Sequence, residues 1–182
     1  MADRLAVFVR APIVGKVKTR LAVDLGPQAA LAAHCQLTQD ALKRLAVRRR
    51  EFQIELWGSE AHAELDRWGL EFSIPVHLQH GGDLGERMMN CLSQLCVAGD
   101  RGVIVGCDCP LIDADYVIAA FDALREHDLV LGPAEDGGYG LIGCSRPLTS
   151  DIFSGVRWGS REVLAQTLER AESSNVEVAL LS

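Results

Sequence analysis

The hydrophobic residues of this chain recur with two different spacings, and these spacings predict where strands and helices lie. Residues 4–10 form a short apolar run, and Phe52, Ile54 and Leu56 alternate with polar residues, so both segments are predicted to be strands. Between them, Pro27 fits the first turn of a helix, and the apolar residues after it recur at helical spacing and are expected to face the core: Leu31, Cys35, Leu42 and Leu45. The chain is therefore predicted to begin with a strand, a helix and a second strand.

The same alternation continues through most of the chain. Further helices are predicted over 61–68, 83–99, 113–124 and 160–171, and further strands over 74–79, 102–105, 128–133, 139–144 and 176–181. Asp113 is expected to cap the helix that it begins, and one face of the helix over 83–99 is expected to be apolar: Leu84, Met88, Cys91, Leu92 and Leu95. The strands over 128–133 and 139–144 follow each other with no helix of ordinary length between them. This order predicts a sheet that is mostly parallel but mixed near its end.

One apolar run is expected to form the centre of the sheet. Val103, Ile104 and Val105 have no polar interruption, as is typical of a central parallel strand with helices on both faces. Gly106 ends this strand, and Asp108 follows it. Ligands of open α/β sheets bind at the carboxyl ends of the strands, so Asp108 is predicted to lie in the main cleft. A turn or a helix cap is the alternative role for this aspartate.

Length and composition favour one compact domain over residues 1–182. The chain has 182 residues, of which 48% are hydrophobic, and this suits a core of ordinary size. Its formal net charge of −7 gives no support for binding to nucleic acid or to an anionic membrane. The apolar run near the N-terminus is too short and too interrupted by charge for a signal sequence or a membrane span, so a cytoplasmic protein is expected.

Six cysteines lie mostly inside apolar periodic segments, and no C-x-x-C pair occurs among them. This pattern predicts buried free thiols. Cys107 and Cys109 flank Asp108, but a C-x-C pair alone supplies too few ligands for a structural zinc ion.

Three segments are expected to meet at the carboxyl side of the sheet. The first is the basic loop after the first strand, where the turn at Gly15 and the cations of Lys16, Lys18 and Arg20 suit phosphate oxygens. It is not a Walker A motif, because Arg10 stands where the earlier glycine would be. A solvated basic surface is the alternative interpretation of this loop.

The other two segments supply carboxylates. Asp108 follows the central strand, and Asp136 lies in the acidic, glycine-containing loop 135–138 between two later strands. Mg²⁺ is commonly held by one or two carboxylates together with phosphates and water, so these two aspartates are candidate ligands. The glycines of the loop let a ligand approach the backbone.

Five segments of the chain match, in order, the motifs of a known family: APIVGKVKTRL, GGDLGERM, GCDCPLI, GPAEDGGYGLIG and VRWGSREVL. They resemble the bacterial glycosyltransferase-like proteins of the nucleotide-diphospho-sugar transferase (GT-A) superfamily. The wider superfamily includes the molybdenum-cofactor and 2-phospho-lactate guanylyltransferases. The resemblance covers nearly the whole chain and implies a single GT-A-like domain, a three-layer α/β/α sandwich with a mostly parallel mixed sheet.

The resemblance also implies roles for individual residues. A nucleotide or nucleotide sugar would contact Ala11, Pro12, Gly15, Lys16, Lys18, Arg20, Asp83 and Arg87. Asp108 would hold Mg²⁺ or Mn²⁺, Asp136 would face the acceptor or a second metal position, and these two are the predicted catalytic residues. The substrate would further contact Glu135, Gly137, Gly138 and Trp158. A solvated helix charge is the alternative for Arg87, and a core position is the alternative for Trp158.

These observations lead to a metal-dependent transferase that uses a nucleotide sugar or a nucleoside triphosphate. Nucleotidyl transfer to a small phosphorylated acceptor is an alternative, since both reactions need the same charge neutralisation. Relatives usually continue past the last strand into a segment with an Asp-x-Asp pair, whereas this sequence stops at Ser182. A nucleotide-binding protein without turnover therefore stays open, as does the choice between monomer and homodimer. A hydrolase with Asp108 as nucleophile is disfavoured, because the loop after the first strand is basic.

Overall fold

The computed structural model describes residues 2–182, so the first residue of the predicted domain lies outside the described part. The strands are β1 (Asp3–Val9), β2 (Gln53–Gly58), β3 (Val76–Leu78), β4 (Arg101–Gly106), β5 (Leu129–Pro133), β6 (Tyr139–Cys144) and β7 (Val178–Leu180). The α-helices are α1 (Thr19–Leu25), α2 (Pro27–Ala46), α3 (Ala63–Phe72), α4 (Leu84–Leu95), α5 (Ala114–Ala123) and α6 (Val163–Ser173). Short 3₁₀ helices span Val97–Gly99 and Ser150–Phe153.

The strands form one sheet in the order β3-β2-β1-β4-β6-β5-β7. The strands β1 to β4 pair in parallel, and β5 pairs in parallel with β7. The strand β6 runs antiparallel to both of its neighbours, β4 and β5. The predicted α/β fold with a mostly parallel mixed sheet is thus confirmed, and β4 lies at its centre.

Helices cover both faces of this sheet because the strand side chains alternate between them. Leu5 and Val7 of β1 pack in a cluster with residues of α2, α3 and α5, such as Leu42, Trp68 and Phe121. Ala6 of the same strand belongs to the opposite cluster, which contains residues of α4 and α6. The result is three layers, and the central strands are buried on both faces.

Some element boundaries differ from those predicted. Residues 11–21 were expected to form a loop, but α1 begins at Thr19, so Arg20 lies in the first turn of a helix. None of the residues of α1 is buried, so this helix gives no apolar period that a sequence pattern could reveal. The strands β3 and β7 have three residues each, half the predicted length, because each lies at an edge of the sheet and pairs on one side.

The inner face of α2 also differs from the expected one. Leu31 and Cys35 are only partly buried, whereas His34 and Thr38 are 3% and 0% exposed. Two polar residues thus occupy the buried face near the start of α2, where they meet the loop after β4. None of the described helices is long and apolar enough to cross a membrane.

Candidate functional site

A cleft runs along the carboxyl ends of β1 and β4 and continues to the start of β6. Its first wing has a volume of about 570 Å³ and lies between β1, the region of α1, and the loop after β4. Its second wing has a volume of about 640 Å³ and lies between α4, β6 and the start of α6. Phe8, Arg20 and Gly106 line both wings, so the two wings are adjacent and share a wall.

Lys18 and Asp108 form an ion pair in the first wing. The Nζ atom of Lys18 lies 2.9 Å from Oδ1 of Asp108, whose side chain is 61% exposed. Lys18 precedes α1 and has a φ angle of 48°, a left-handed backbone conformation that residues other than glycine adopt rarely. Residues held in such conformations occur often at functional sites, where the surrounding structure must hold them in place.

Two arginines of the cleft lack a carboxylate partner within residues 2–182. Arg10 and Arg20 line the first wing, and neither forms an ion pair there. Elsewhere arginines are commonly neutralised, for example Arg101 by Asp3 and Arg146 by Asp128. In a chain with a net charge of −7, two unpaired arginines give this cleft a local positive charge that suits an anion.

The base of the first wing is polar and buried. The Nε2–H group of His34 donates to the backbone carbonyl of Arg10 at 2.9 Å, and Thr38 lies 3.6 Å from the sulfur of Cys107. Burial raises the pKa of the Cys107 thiol to about 12, so this thiol stays protonated near neutral pH. Sequence reasoning missed His34 and Arg10. The signal for His34 was its i, i+4 spacing to Thr38 in an otherwise apolar helical face.

The acidic loop between β5 and β6 is a closed turn. The amide of Ala134 donates to the carbonyl of Gly138 at 3.0 Å, and Oδ1 of Asp136 accepts from the Gly138 amide at 3.0 Å. The carbonyl of Gly137 accepts from the Leu164 amide at 3.0 Å, which fixes the loop to the start of α6. Asp136 and Gly138 line the second wing, while Glu135 is exposed and lines neither wing.

The structure places the two predicted carboxylates in different wings and the predicted cations in different surroundings. Asp108 lines the first wing and Asp136 the second. Lys18 and Arg20 line the first wing, but Lys16 is exposed and its Nζ lies 3.6 Å from Glu60. The roles of these residues stay predictions, and their positions make Lys18 and Arg20 better phosphate contacts than Lys16.

The loop that follows β1 lies beside the first wing. It contains three of the predicted nucleotide contacts, Ala11, Pro12 and Gly15. Ala11 and Pro12 are buried, and the Ala11 amide donates to Oγ of Ser59 at 3.0 Å. Gly15 has a φ angle of 78°, which favours glycine, and it turns the chain toward α1.

Asp83 and Arg87 stabilise the connection between β3 and α4. Asp83 caps α4, because its Oδ1 accepts from the Glu86 amide at 2.8 Å, and Glu86 accepts in return from the Gly82 amide at 2.6 Å. The Nε atom of Arg87 donates to the carbonyl of Gly81 at 3.2 Å. Neither residue lines the cleft, although Leu84 and Met88 of the same helix line its second wing.

Trp158 is half-buried and forms one wall of the second wing. Its ring packs edge-on against Phe153, with 5.8 Å between the ring centroids. A Cβ at Gly85 would lie 2.7 Å from Cζ2 of Trp158, so the glycine in α4 allows the indole to pack closely. Sequence reasoning missed Gly85, Phe8 and Arg161, although a glycine inside a helical pattern indicates close packing of this kind.

The chain matches a bacterial protein family and a solved structure. The profile of a family described as “Uncharacterized protein conserved in bacteria (DUF2064)” matches residues 38–160. A solved structure from Desulfovibrio desulfuricans G20, provisionally named a nucleotide-diphospho-sugar transferase, is 33% identical with a TM-score of 0.88. The match covers 100% of this chain and 80% of that one. No curated protein matches the chain.

More distant structures share the fold alone. A cytidylyltransferase from Leptospira borgpetersenii serovar Hardjo-bovis is 13% identical with a TM-score of 0.65, and the match covers 100% of this chain and 76% of that one. A CMP:2-keto-3-deoxy-manno-octonic acid synthetase, solved in complex with CTP, is 11% identical with a TM-score of 0.60. There the match covers 100% of this chain and 89% of that one. The GT-A-like fold implied by the sequence motifs is therefore confirmed.

Proposed function

Because the chain belongs to the bacterial family DUF2064 and has the fold of the nucleotide-diphospho-sugar transferases, we propose that it is a divalent-metal-dependent transferase. Its donor is a nucleotide sugar or a nucleoside triphosphate. One observation carries this proposal: the Lys18–Asp108 ion pair stands beside the unpaired arginines Arg10 and Arg20, at the carboxyl ends of the two central strands.

Phosphate binding follows from the charges of the first wing. Arg10, Lys18 and Arg20 offer N–H donors that suit phosphate oxygens, and charge-assisted hydrogen bonds of this kind are about twice as strong as neutral ones. Arg10 and Arg20 need not break an ion pair to bind a phosphate. Lys18 exchanges one anionic partner for another, so a phosphate that takes its ammonium group frees the carboxylate of Asp108.

The residues of the first wing fit a hard divalent ion better than zinc. His34, Cys107 and Asp108 place potential ligand atoms within 4.8 Å of one another, the one group of this kind among residues 2–182. The Nε2–H group of His34 is held by the carbonyl of Arg10 at 2.9 Å and the Cys107 sulfur is buried 3.6 Å from Thr38, which leaves the exposed carboxylate of Asp108 as the accessible ligand, and Mg²⁺ prefers oxygen ligands of this kind. Mg²⁺ or Mn²⁺ on Asp108 would supply positive charge to the leaving diphosphate.

The side chains of the cleft have separate tasks in the transfer. Arg10, Lys18 and Arg20 bind the phosphates and stabilise the negative charge that develops on the leaving group. Asp136 in the second wing accepts the proton of the acceptor hydroxyl as its oxygen attacks the donor. The Gly138 amide holds Oδ1 of Asp136, which fixes the direction of the carboxylate.

Glycosyl and nucleotidyl transfer use these same groups and differ in the bond that breaks. Glycosyl transfer cleaves a sugar–phosphate bond, whereas nucleotidyl transfer to a small phosphorylated acceptor cleaves an α,β-phosphoanhydride. Analysis of the products from a labelled donor separates the two reactions. The Lys18–Asp108 contact also favours a second candidate, a nucleotide-binding protein without turnover, because the ammonium group neutralises the carboxylate that a metal ion needs.

The test compares nucleotide binding with and without Mn²⁺ in three variants. Asp108→Asn and Asp136→Asn remove the two cleft carboxylates, and Asp122→Asn is the control, because Asp122 is exposed, pairs with Arg125 and lies outside the cleft. We expect the Mn²⁺-dependent gain in affinity, measured by calorimetry, to be lost in Asp108→Asn and kept in the control. The free energy of unfolding of ligand-free Asp108→Asn should change by less than about 1 kcal/mol, since an exposed ion pair contributes little.

Two results contradict the proposal. If the Mn²⁺-dependent gain survives in Asp108→Asn, the carboxylate of Asp108 does not hold the metal. If nucleotide binds but no labelled product forms with any acceptor, the chain is a binding protein.

A further inference from the structure

We propose that the second wing of the cleft binds a small ring-bearing organic acid. The apolar ring lies on the floor of the wing, and the carboxylate pairs with Arg161. In the proposed reaction this acid is the acceptor, and its hydroxyl group faces Asp136. Only that role depends on the proposed function, because binding of the acid itself requires neither nucleotide nor metal.

The floor of the second wing is apolar. Met88 of α4, Ile104 of β4 and Ile142 of β6 are each at most 5% exposed, and all three line the wing. Phe8 and Trp158 add the surfaces of two aromatic side chains. Apolar ligand area buried on such a floor contributes about 25 cal/mol per Å², so a hydrocarbon ring is favoured there.

Few polar groups near this floor are free. The indole Nε1 of Trp158 is buried and has no hydrogen-bond partner within residues 2–182, whereas other polar groups of the wing are engaged. The hydroxyl of Tyr139 lies 3.4 Å from Oγ1 of Thr167 in α6, and burial raises the pKa of Tyr139 to about 12, so the phenol stays neutral. One oxygen of Asp136 accepts from the Gly138 amide. A sugar ring carries more hydroxyl groups than the free indole Nε1 of Trp158 and the second oxygen of Asp136 can serve, and each buried hydroxyl left without a partner costs about 1–3 kcal/mol. The floor therefore suits a ring with few hydroxyl groups.

Arg20 and Arg161 both line the second wing, but Arg20 also lines the first wing, so Arg161 is the arginine that belongs to the second wing alone. Two arginines lie close together in the segment before α6, and only one of them is neutralised there. Arg157 forms an ion pair with Glu162, whereas Arg161 forms no ion pair within residues 2–182 and lines the second wing. The backbone of Arg161 packs against Gly137, so its position is fixed beside the acidic loop.

These features together specify a ligand with one apolar end and one anionic end. The volume of about 640 Å³ lies in the range of ordinary small-molecule sites. A guanidinium group binds a carboxylate through two parallel hydrogen bonds, which gives both affinity and direction. Hydroxybenzoates have this chemistry, with a planar ring, one carboxylate and a hydroxyl group that can accept a transferred group.

The test uses three probes with the full chain, in the absence of nucleotide and metal. The probes are 4-hydroxybenzoate, the neutral 4-hydroxybenzamide, and glucuronate, which keeps the carboxylate on a ring rich in hydroxyl groups. Affinities are measured by calorimetry or by ligand-observed nuclear magnetic resonance. We expect 4-hydroxybenzoate to bind at least tenfold more tightly than either of the other two.

Two arginine variants locate the site. Arg161→Gln should weaken 4-hydroxybenzoate binding at least tenfold and leave the neutral amide unaffected, whereas Arg157→Gln should bind like the unmodified protein. Arg161→Lys keeps the positive charge and should restore part of the preference for the acid. A thermal unfolding curve of each variant verifies that it is folded.

Several outcomes would overturn the proposal. The proposal fails if glucuronate binds as tightly as 4-hydroxybenzoate or more tightly, if Arg161→Gln keeps the preference for the acid, or if metal-free nucleoside triphosphate displaces the acid. If the acid binds as expected but no nucleotide binds, the assignment of the second wing holds and the transferase proposal fails. If nucleotide binds and the acid does not, the opposite conclusion follows.

Discussion

Lys18 has a strained backbone and an ion pair, and the two features are connected. Its φ angle of 48° directs the chain into α1, and its ammonium group lies 2.9 Å from Asp108 across the first wing. A left-handed conformation is unfavourable for a residue with a side chain, by about 1–2 kcal/mol. Replacing Lys18 by glycine would relieve this strain but remove the charge. The conformation thus makes Lys18 a position where stability and binding are expected to respond in opposite directions.

The basic residues of the first wing give a direct prediction for affinity. The double variant Lys18→Ala/Arg20→Ala should bind nucleotide at least tenfold more weakly, because each charge-assisted contact contributes roughly 1.5–3 kcal/mol. Lys16→Ala is the matched control, since Lys16 lies in the same loop but contacts Glu60 outside the wing. Calorimetry measures both. Equal affinities for the double variant and the control would mean that this loop is only a solvated basic surface.

For individual residues, the sequence indicated which side chains are charged but not which side chain each of them contacts. The loop was correctly identified as basic, yet Lys16 and Lys18, two positions apart, contact different carboxylates on different segments. Asp83 was expected near the nucleotide, and the structure shows it capping α4. A side chain's partner depends on residues distant in sequence, and no local pattern contains that information.

The acidic loop and the start of α6 form one unit in the second wing. Gly137 has a φ angle of 86°, and an added Cβ would overlap the backbone carbonyl of Arg161. Its own carbonyl accepts from the Leu164 amide in the first turn of α6. The positions of Asp136 and Arg161 therefore depend on the same contact between a loop and a helix.

A glycine substitution tests this contact. Gly137→Ala should lower the free energy of unfolding by about 1–3 kcal/mol more than Gly159→Ala, because the added methyl group meets backbone that cannot move easily. Gly159 is the matched control, since its φ angle of 80° gives similar strain while nothing lies within 4 Å of its added Cβ. Denaturant unfolding measures both variants. Equal losses of stability would show that the close approach to Arg161 contributes nothing.

Elements with a buried apolar face were predicted well, and elements without one were not. Asp113 caps α5 as expected, accepting from the Tyr116 amide at 2.9 Å, and the pattern of α4 placed Met88, Cys91, Leu92 and Leu95 correctly in the core. The exposed helix α1 was missed because it buries no residue. Leu84 was expected in the core but is 44% exposed, because it lines the cleft instead.

For the whole molecule, the alternation of strands and helices was enough to predict the fold class. The two successive strands over 128–144 correctly indicated a mixed sheet. The pattern could not specify that β6 lies between β4 and β5, since strand order depends on which edges meet after folding. The position of the second wing depends on that order, because β6 brings the acidic loop next to the end of β4.

The stability of the molecule in acid is expected to depend on Asp128. Hydrogen bonds from Arg146, together with the backbone amide of Glu177, lower the pKa of Asp128 below its ordinary value. The ionised carboxylate therefore stabilises the folded state above the ordinary pKa of about 4, and this contribution is lost as the pH falls through the lower, folded-state value.

Asp128→Asn should unfold more easily than the unmodified protein near neutral pH, by about 1 kcal/mol. The difference should shrink as the pH falls below about 4, because the unmodified side chain also loses its charge there. Denaturant unfolding at a series of pH values measures this, and Asp122→Asn, an exposed aspartate in α5, is the control. A difference that stays constant down to low pH would rule out a role for the charge.

The position of β1 between β2 and β4 also affects how the chain folds as it is synthesised. One edge of β1 pairs with β2, and the other edge pairs with β4. Asp3 at the start of β1 therefore cannot contact Arg101 until 98 more residues have been synthesised. At ordinary translation speeds that interval is roughly 5–20 s. During that time an apolar strand with one free edge is outside the ribosome and open to wrong partners. The newly made chain is therefore expected to need protection by chaperones until β4 has emerged.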